Sequence, residues 1–159
     1  MAIRTTTVTI NAAFLREIKE DNQRLKELLA ELREVLGERG SPEWLTRYAL
    51  IEKLGDFRDQ LATHFALEEA FGYFDEPLKA APQLAERAEE LRQQHADLFV
   101  RLCRLVDQAE DDYQREPHER AFRLIAERFH QFDADLQVHE QAENELIMEA
   151  FNADIGVGD

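Results

Sequence analysis

The chain has 159 residues, 44% of them hydrophobic and 33% charged, with six glycines, four prolines and a formal charge of −15. That size and balance suit one soluble, largely helical domain with its own core, and they exclude a disordered or all-β chain. The acidic excess argues against nucleic acid or anionic membrane as a partner, because both carry the same sign.

No apolar run reaches the roughly 18 residues of a membrane span. The opening MAIRTTTVTINAAF has no apolar signal core, so the expected location is cytoplasmic. The helical period marks four segments. The first, about residues 11–36, carries Phe14, Ile18, Leu25, Leu29 and Leu32 on one face, and only TTVTI near its start hints at a strand. GERGSP ends it, and Ser41 is expected to cap the next segment with Pro42 at its first helical position. That second segment, about 42–74, has a face of Leu54, Phe57, Leu61, His64, Glu68 and Phe71, with Gly55 as a point of weakness.

FDEPLKAAP leads to the third segment, about 83–114, with Leu84, Ala88, Leu91, His95, Leu98, Leu102 and Leu105 in phase. REPHE breaks the chain before the fourth, about 117–151, which aligns Phe122, Ile125, Phe129, Phe132, Leu136, His139, Glu143 and Leu146. The tail NADIGVGD is expected to be a loop. Four amphipathic segments with short connections predict an all-α, antiparallel up-down four-helix bundle in a single domain over 1–159. Its wide apolar faces suit a monomer or a homodimer.

Two of these helices repeat each other. FRDQLATHFALEE, from Phe57, lies over FDADLQVHEQAEN, from Phe132, without gaps at an offset of 75 residues. His64 then matches His139, and Glu68 matches Glu143. The first and third segments align at an offset of 73, DNQRLKELL over QHADLFVRL, which places His95 opposite Asn22. The chain therefore divides into two helical hairpins related by an internal pseudo-two-fold.

Residues four apart share a helix face, so each HxxxE projects an imidazole and a carboxylate inward, and His95 adds a third imidazole. Ionised carboxylates in a bundle core persist when paired or bound to a cation. Two glutamates able to bridge, with terminal histidines, suit two first-row metals; iron or manganese fits better than zinc, which favours a closed tetrahedral site. The alternative is a set of buried His–Glu pairs that fix bundle register without metal. Glu140, directly after His139, is a further candidate, whereas Glu69 suits a solvated or supporting role. His118 in the break is expected to be exposed and His130 to lie at a boundary. The single Cys103 has no partner for an internal disulfide and suits a small hydrophobe.

These residues resemble the hemerythrin-like (HHE cation-binding) family over about Asn11 to Gly156. The family pattern is a histidine on the first helix, HxxxE on the second, a histidine on the third and HxxxE or a close variant on the fourth. His64 and Glu68, His95, and His139 and Glu143 match the last three elements. At the first, KEDNQRLKELL has Asn22 where the family has histidine. The resemblance implies an up-down bundle around a non-haem di-iron centre with bridging carboxylates. It also implies an asymmetry: one metal keeps His95 and His139, and the other keeps only His64 beside the shared Glu68 and Glu143. A mononuclear site, or manganese or zinc in place of iron, are the variants this leaves open.

The expected function is binding or sensing of dioxygen or a related small oxidant, more as a binding protein than as a dedicated enzyme. Iron sequestration or ferrous oxidation, and a structural bundle that has lost its metal, are the alternatives.

Overall fold

The computed structural model describes residues 2–37, 39–70 and 82–158, with side chains described for 16, 20–37, 39–69, 82–150 and 152. Four helices carry nearly all of it: α1 (Ala2–Leu36), α2 (Arg47–Ala70), α3 (Ala85–Arg115) and α4 (His118–Gly158), with a 3-10 turn at Pro82–Leu84 before α3. Ion pairs give their directions. Lys53 meets Glu31, while Gln60, further along α2, meets Asp21, earlier on α1. Arg87, Arg101 and Arg128 pair in the same opposed sense between α3 and α4, with Glu149, Asp135 and Asp112 as partners. Successive helices therefore run antiparallel, as the up-down bundle requires.

Every apolar position expected on the stripes of α3 and α4 is buried, as are Leu25, Leu29 and Leu32 on α1 and Leu54, Phe57 and Leu61 on α2. Phe57 meets the edges of Phe129 and Phe132, with ring centroids 6.4 and 6.1 Å apart, and these rings lock α2 against α4. Phe14, Ile18 and Phe71 lie outside the described side chains, and so does the middle connection over 74–81.

Three boundaries differ from expectation. Helix α1 begins at Ala2, so TTVTI is helical and continues the α1 spiral instead of pairing as a strand. The tail is also helical, through Gly158. Ser41 does not cap α2. The helix starts at Arg47, and Thr46 Oγ1 accepts from the Ala49 amide at 3.1 Å, which is the N-cap bond. Ser41 instead joins the bundle end to the α4 start, its Oγ lying 2.9 Å from His118 Nε2. Helix α1 stops where the Gly37 amide closes on the Arg33 carbonyl at 2.9 Å; a Cβ there would lie 2.6 Å from that same oxygen.

The core is not continuous. A large apolar cluster fills the bundle from Leu25 to Leu136, and a smaller one of Leu84, Ala88, Leu91, Leu146 and Ala150 sits nearer the α2–α3 end. Between them is a layer of buried polar groups: Asp21, His64, His95, His139 and Glu143.

Candidate metal centre

One helical turn separates His64 from Glu68 on α2, and another separates His139 from Glu143 on α4, so the two pairs face each other across the bundle. The His95 ring sits between them. It stacks on Phe65 (centroids 4.1 Å apart, 9° between planes) and meets His139 edge-on at 5.0 Å. Phe65 also closes on His139 at 5.9 Å, so one aromatic ring orients two imidazoles.

Each imidazole is held the same way. On the outer side, Nδ1 of His64 lies 2.7 Å from Asp21 Oδ2, Nδ1 of His95 lies 3.2 Å from Glu69 Oε1, and Nδ1 of His139 lies 2.7 Å from Gln94 Oε1. All three partners are acceptors, so each Nδ1 donates and each Nε2 turns inward. His64 Nε2 lies 2.9 Å from Glu68 Oε1, and His95 Nε2 lies 3.1 Å from Glu68 Oε2 and 3.7 Å from Glu143 Oε1. His139 Nε2 contacts Glu143 Oε1. Glu68 thus touches two imidazoles from two helices, and so does Glu143.

These contacts do not satisfy the groups that make them. Glu68 Oε2, His95 Nε2, His139 Nε2 and Glu143 Oε1 are buried and have no hydrogen-bond partner of acceptable geometry. Lone pairs of nitrogen and oxygen pointed at one another in a dry layer need a positive charge between them. In the protein alone, protons supply it. Burial pulls the His64 imidazole down, but hydrogen bonds to Asp21 and Glu68 outweigh that and raise it to about 10. Burial likewise opposes His95, which the close carboxylates of Glu143 and Glu68 raise to about 9. Burial pushes the Glu68 carboxyl up, yet His64 and His95 hold it at about 2. A metal cation meets the same need with better coordination, so the donor set fits one: His95, His139 and Glu143, all buried, offer atoms within 4.8 Å of one another.

The pseudo-two-fold extends beyond the repeated pair. The offset that matches Asn22 with His95 also matches Asp21 with Gln94, and both hold Nδ1 of the next helix's histidine at the same 2.7 Å. Glu69, which backs His95, matches Asn144. The place equivalent to the His95–Glu69 pair is therefore Asn22 with Asn144, and there the structure has a cavity of about 540 Å³. Asn22, His64, Glu68, Glu140, Glu143 and Asn144 all border it, with Leu25, Leu29 and Leu67 as apolar wall. Helices α1 and α4 meet beside it through Arg33, which binds Asp133 with both ends of its guanidinium at 2.8 and 2.7 Å.

The family model for the hemerythrin HHE cation binding domain matches residues 13–116. The chain belongs to the hemerythrin HHE family. No curated protein and no solved structure matches it. The matched part of the HHE domain ends before α4, so His139 and Glu143 join the centre through the internal repeat and the geometry.

All five residues expected as ligands meet in one layer of the HHE bundle. Glu140 is half-buried on the cavity wall, where burial raises its carboxyl pKa beside His64, Glu143 and Glu68. The sequence reading missed Asp21, the only charged residue buried on the described part of α1. The signal was present, since the same offset that singled out Asn22 paired its neighbour with Gln94.

Proposed function

We propose that this HHE domain is a non-haem iron protein with an asymmetric, carboxylate-bridged two-metal centre that binds or senses dioxygen or a related small oxidant. The observation that carries the proposal is the convergence of three imidazole Nε2 atoms on Glu68 and Glu143, whose buried inner atoms lack hydrogen-bond partners. His95 and His139 would hold one iron and His64 the other, with Glu68 and Glu143 shared. Iron held there would supply redox electrons and an open coordination position for a small oxidant.

The chain's own residues shape that position. Asn22 is too short and too weak a donor to replace an imidazole, and the cavity beside it gives a small molecule room to approach His64 and Glu68. The other half is closed by Phe65 stacked on His95, which keeps water from the imidazole face. The expected outcome of anaerobic loading with ferrous iron is two irons per chain, and admission of air should then produce charge-transfer absorption. A colourless, iron-free protein after full reconstitution would overturn the proposal.

The carboxylates lining the cavity favour a second use of the same centre, the uptake and oxidation of ferrous iron, because Asp21, Glu68, Glu140 and Glu143 outnumber Lys26 and Arg33 on its wall and leave it acidic for an approaching cation. Sustained oxygen consumption with excess ferrous iron distinguishes this use from reversible oxygen binding. Among the described residues no helix is long and apolar enough to cross a membrane.

A further inference from the structure

The two halves of the centre are built by the same offsets but differ in where the backing charge lies. In one half, His139 is backed by the neutral carbonyl of Gln94, and a third imidazole, His95, joins it, backed by the solvent-exposed carboxylate of Glu69 at 3.2 Å. In the other, the imidazole is missing at Asn22, and His64 is backed by the carboxylate of Asp21. Asp21 is 6% exposed and fully engaged: Oδ2 accepts a hydrogen bond from His64 Nδ1, and Oδ1 accepts from Gln60 Nε2 at 2.6 Å. Gln60, His64 and Glu68 stand four residues apart on one stripe of α2, so Asp21 reaches across from α1 and joins the first two rungs of a ladder whose third is a shared carboxylate.

A carboxylate behind an imidazole does two things that an amide does not. It fixes the ring with Nε2 inward, as the amide does, but it also makes the imidazole a stronger donor and leaves negative charge beside the cation. We propose that Asp21 is the positioning residue of the cation position at His64, and that its charge offsets the donor missing at Asn22. The poorer half of the centre thereby keeps a metal with a buried charge, while the half with two imidazoles does so with the neutral Gln94 behind His139 and the water-screened Glu69 behind His95. This inference rests on the two-metal reading above and assigns the first helix a role in it through Asp21 in place of the family histidine.

Asp21→Asn tests it, because asparagine keeps the shape and can still accept from Nδ1 while removing the charge; Gln60 can turn its amide to suit. The reciprocal change is Gln94→Glu. Chelator-treated protein is titrated anaerobically with ferrous iron in a calorimeter, and the two binding steps are resolved. In Asp21→Asn the weaker step should lose about tenfold or more in affinity while the tighter step stays within about twofold. In Gln94→Glu the tighter step should strengthen and the weaker one stay. Equal weakening of both steps in Asp21→Asn would assign Asp21 a merely structural part and overturn the inference, as would two unchanged steps. A wild-type chain that takes up a single iron fails the two-metal reading itself, whatever the variants do.

Discussion

At the scale of single residues, the centre turns on which side chain stands at each pseudo-symmetric position. Asn22, where the family pattern has a histidine, borders the cavity beside His64 and Glu68. On the two-metal centre proposed above, Asn22→His should add a ligand to the His64 half and raise the occupancy of the weaker metal position to near one per chain. Elemental analysis of protein loaded at limiting iron checks this, and unchanged stoichiometry would count against both the register and the asymmetry. The five ligand candidates were legible because they break an apolar stripe, and a polar residue on a buried stripe is conspicuous. Asp21 was less so, since it sits one position away from the residue that the family pattern emphasises, and only its match to Gln94 in the internal repeat sets it apart from the acids around it.

At the scale of elements, each helix was visible through its period and its breakers, but its ends were decided by local hydrogen bonds. Both Ser41 and Thr46 have the chemistry of an N-cap, and Pro42 made the first look better. Only Thr46 has its hydroxyl on a helix amide. Thr46→Ala should lower the unfolding free energy by about 1 kcal/mol, and Ser41→Ala should cost clearly less, because its bond to His118 is exposed. Denaturant titration of the two variants separates them. The ends of α1 and α4 were underestimated for a different reason. Threonine, valine and glycine favour strand or loop locally, yet a helix already running can extend through them once its nucleus is formed.

At the scale of the whole molecule, the polar layer divides the core, so stability depends on what lies between the carboxylates and the imidazoles. In metal-free protein that is protons. The histidine contributions, from groups raised from 6.5 to about 10 and about 9, are fully present below pH 6.5 and are lost as the pH climbs through those values. The contribution of Glu68, lowered from 4.5 to about 2, is present above pH 4.5 and is lost as the pH falls toward 2. Chelator-treated protein should therefore melt highest between about pH 4.5 and 6.5, with a melting temperature that declines from there to pH 10. Iron-loaded protein should decline much less on the alkaline side, because the cation replaces the protons. Thermal melts across pH in the two states check both slopes; a metal-free melting temperature that rises between pH 7 and 10 would contradict the account.

By itself the sequence determined the helix count, the stripes that face inward, the internal repeat and the five inward-pointing donors. Each of these follows from periodicity, and periodicity is written in residue order. Only the tertiary structure decided what the donors meet. The alignment of Nδ1 with Asp21, Glu69 and Gln94, the stacking of Phe65 on His95, and the cavity at Asn22 and Asn144 all join different helices. Such contacts depend on how far each helix is shifted and turned against its neighbours, which large rings such as Phe57, Phe129 and Phe132 set collectively and which no single segment encodes.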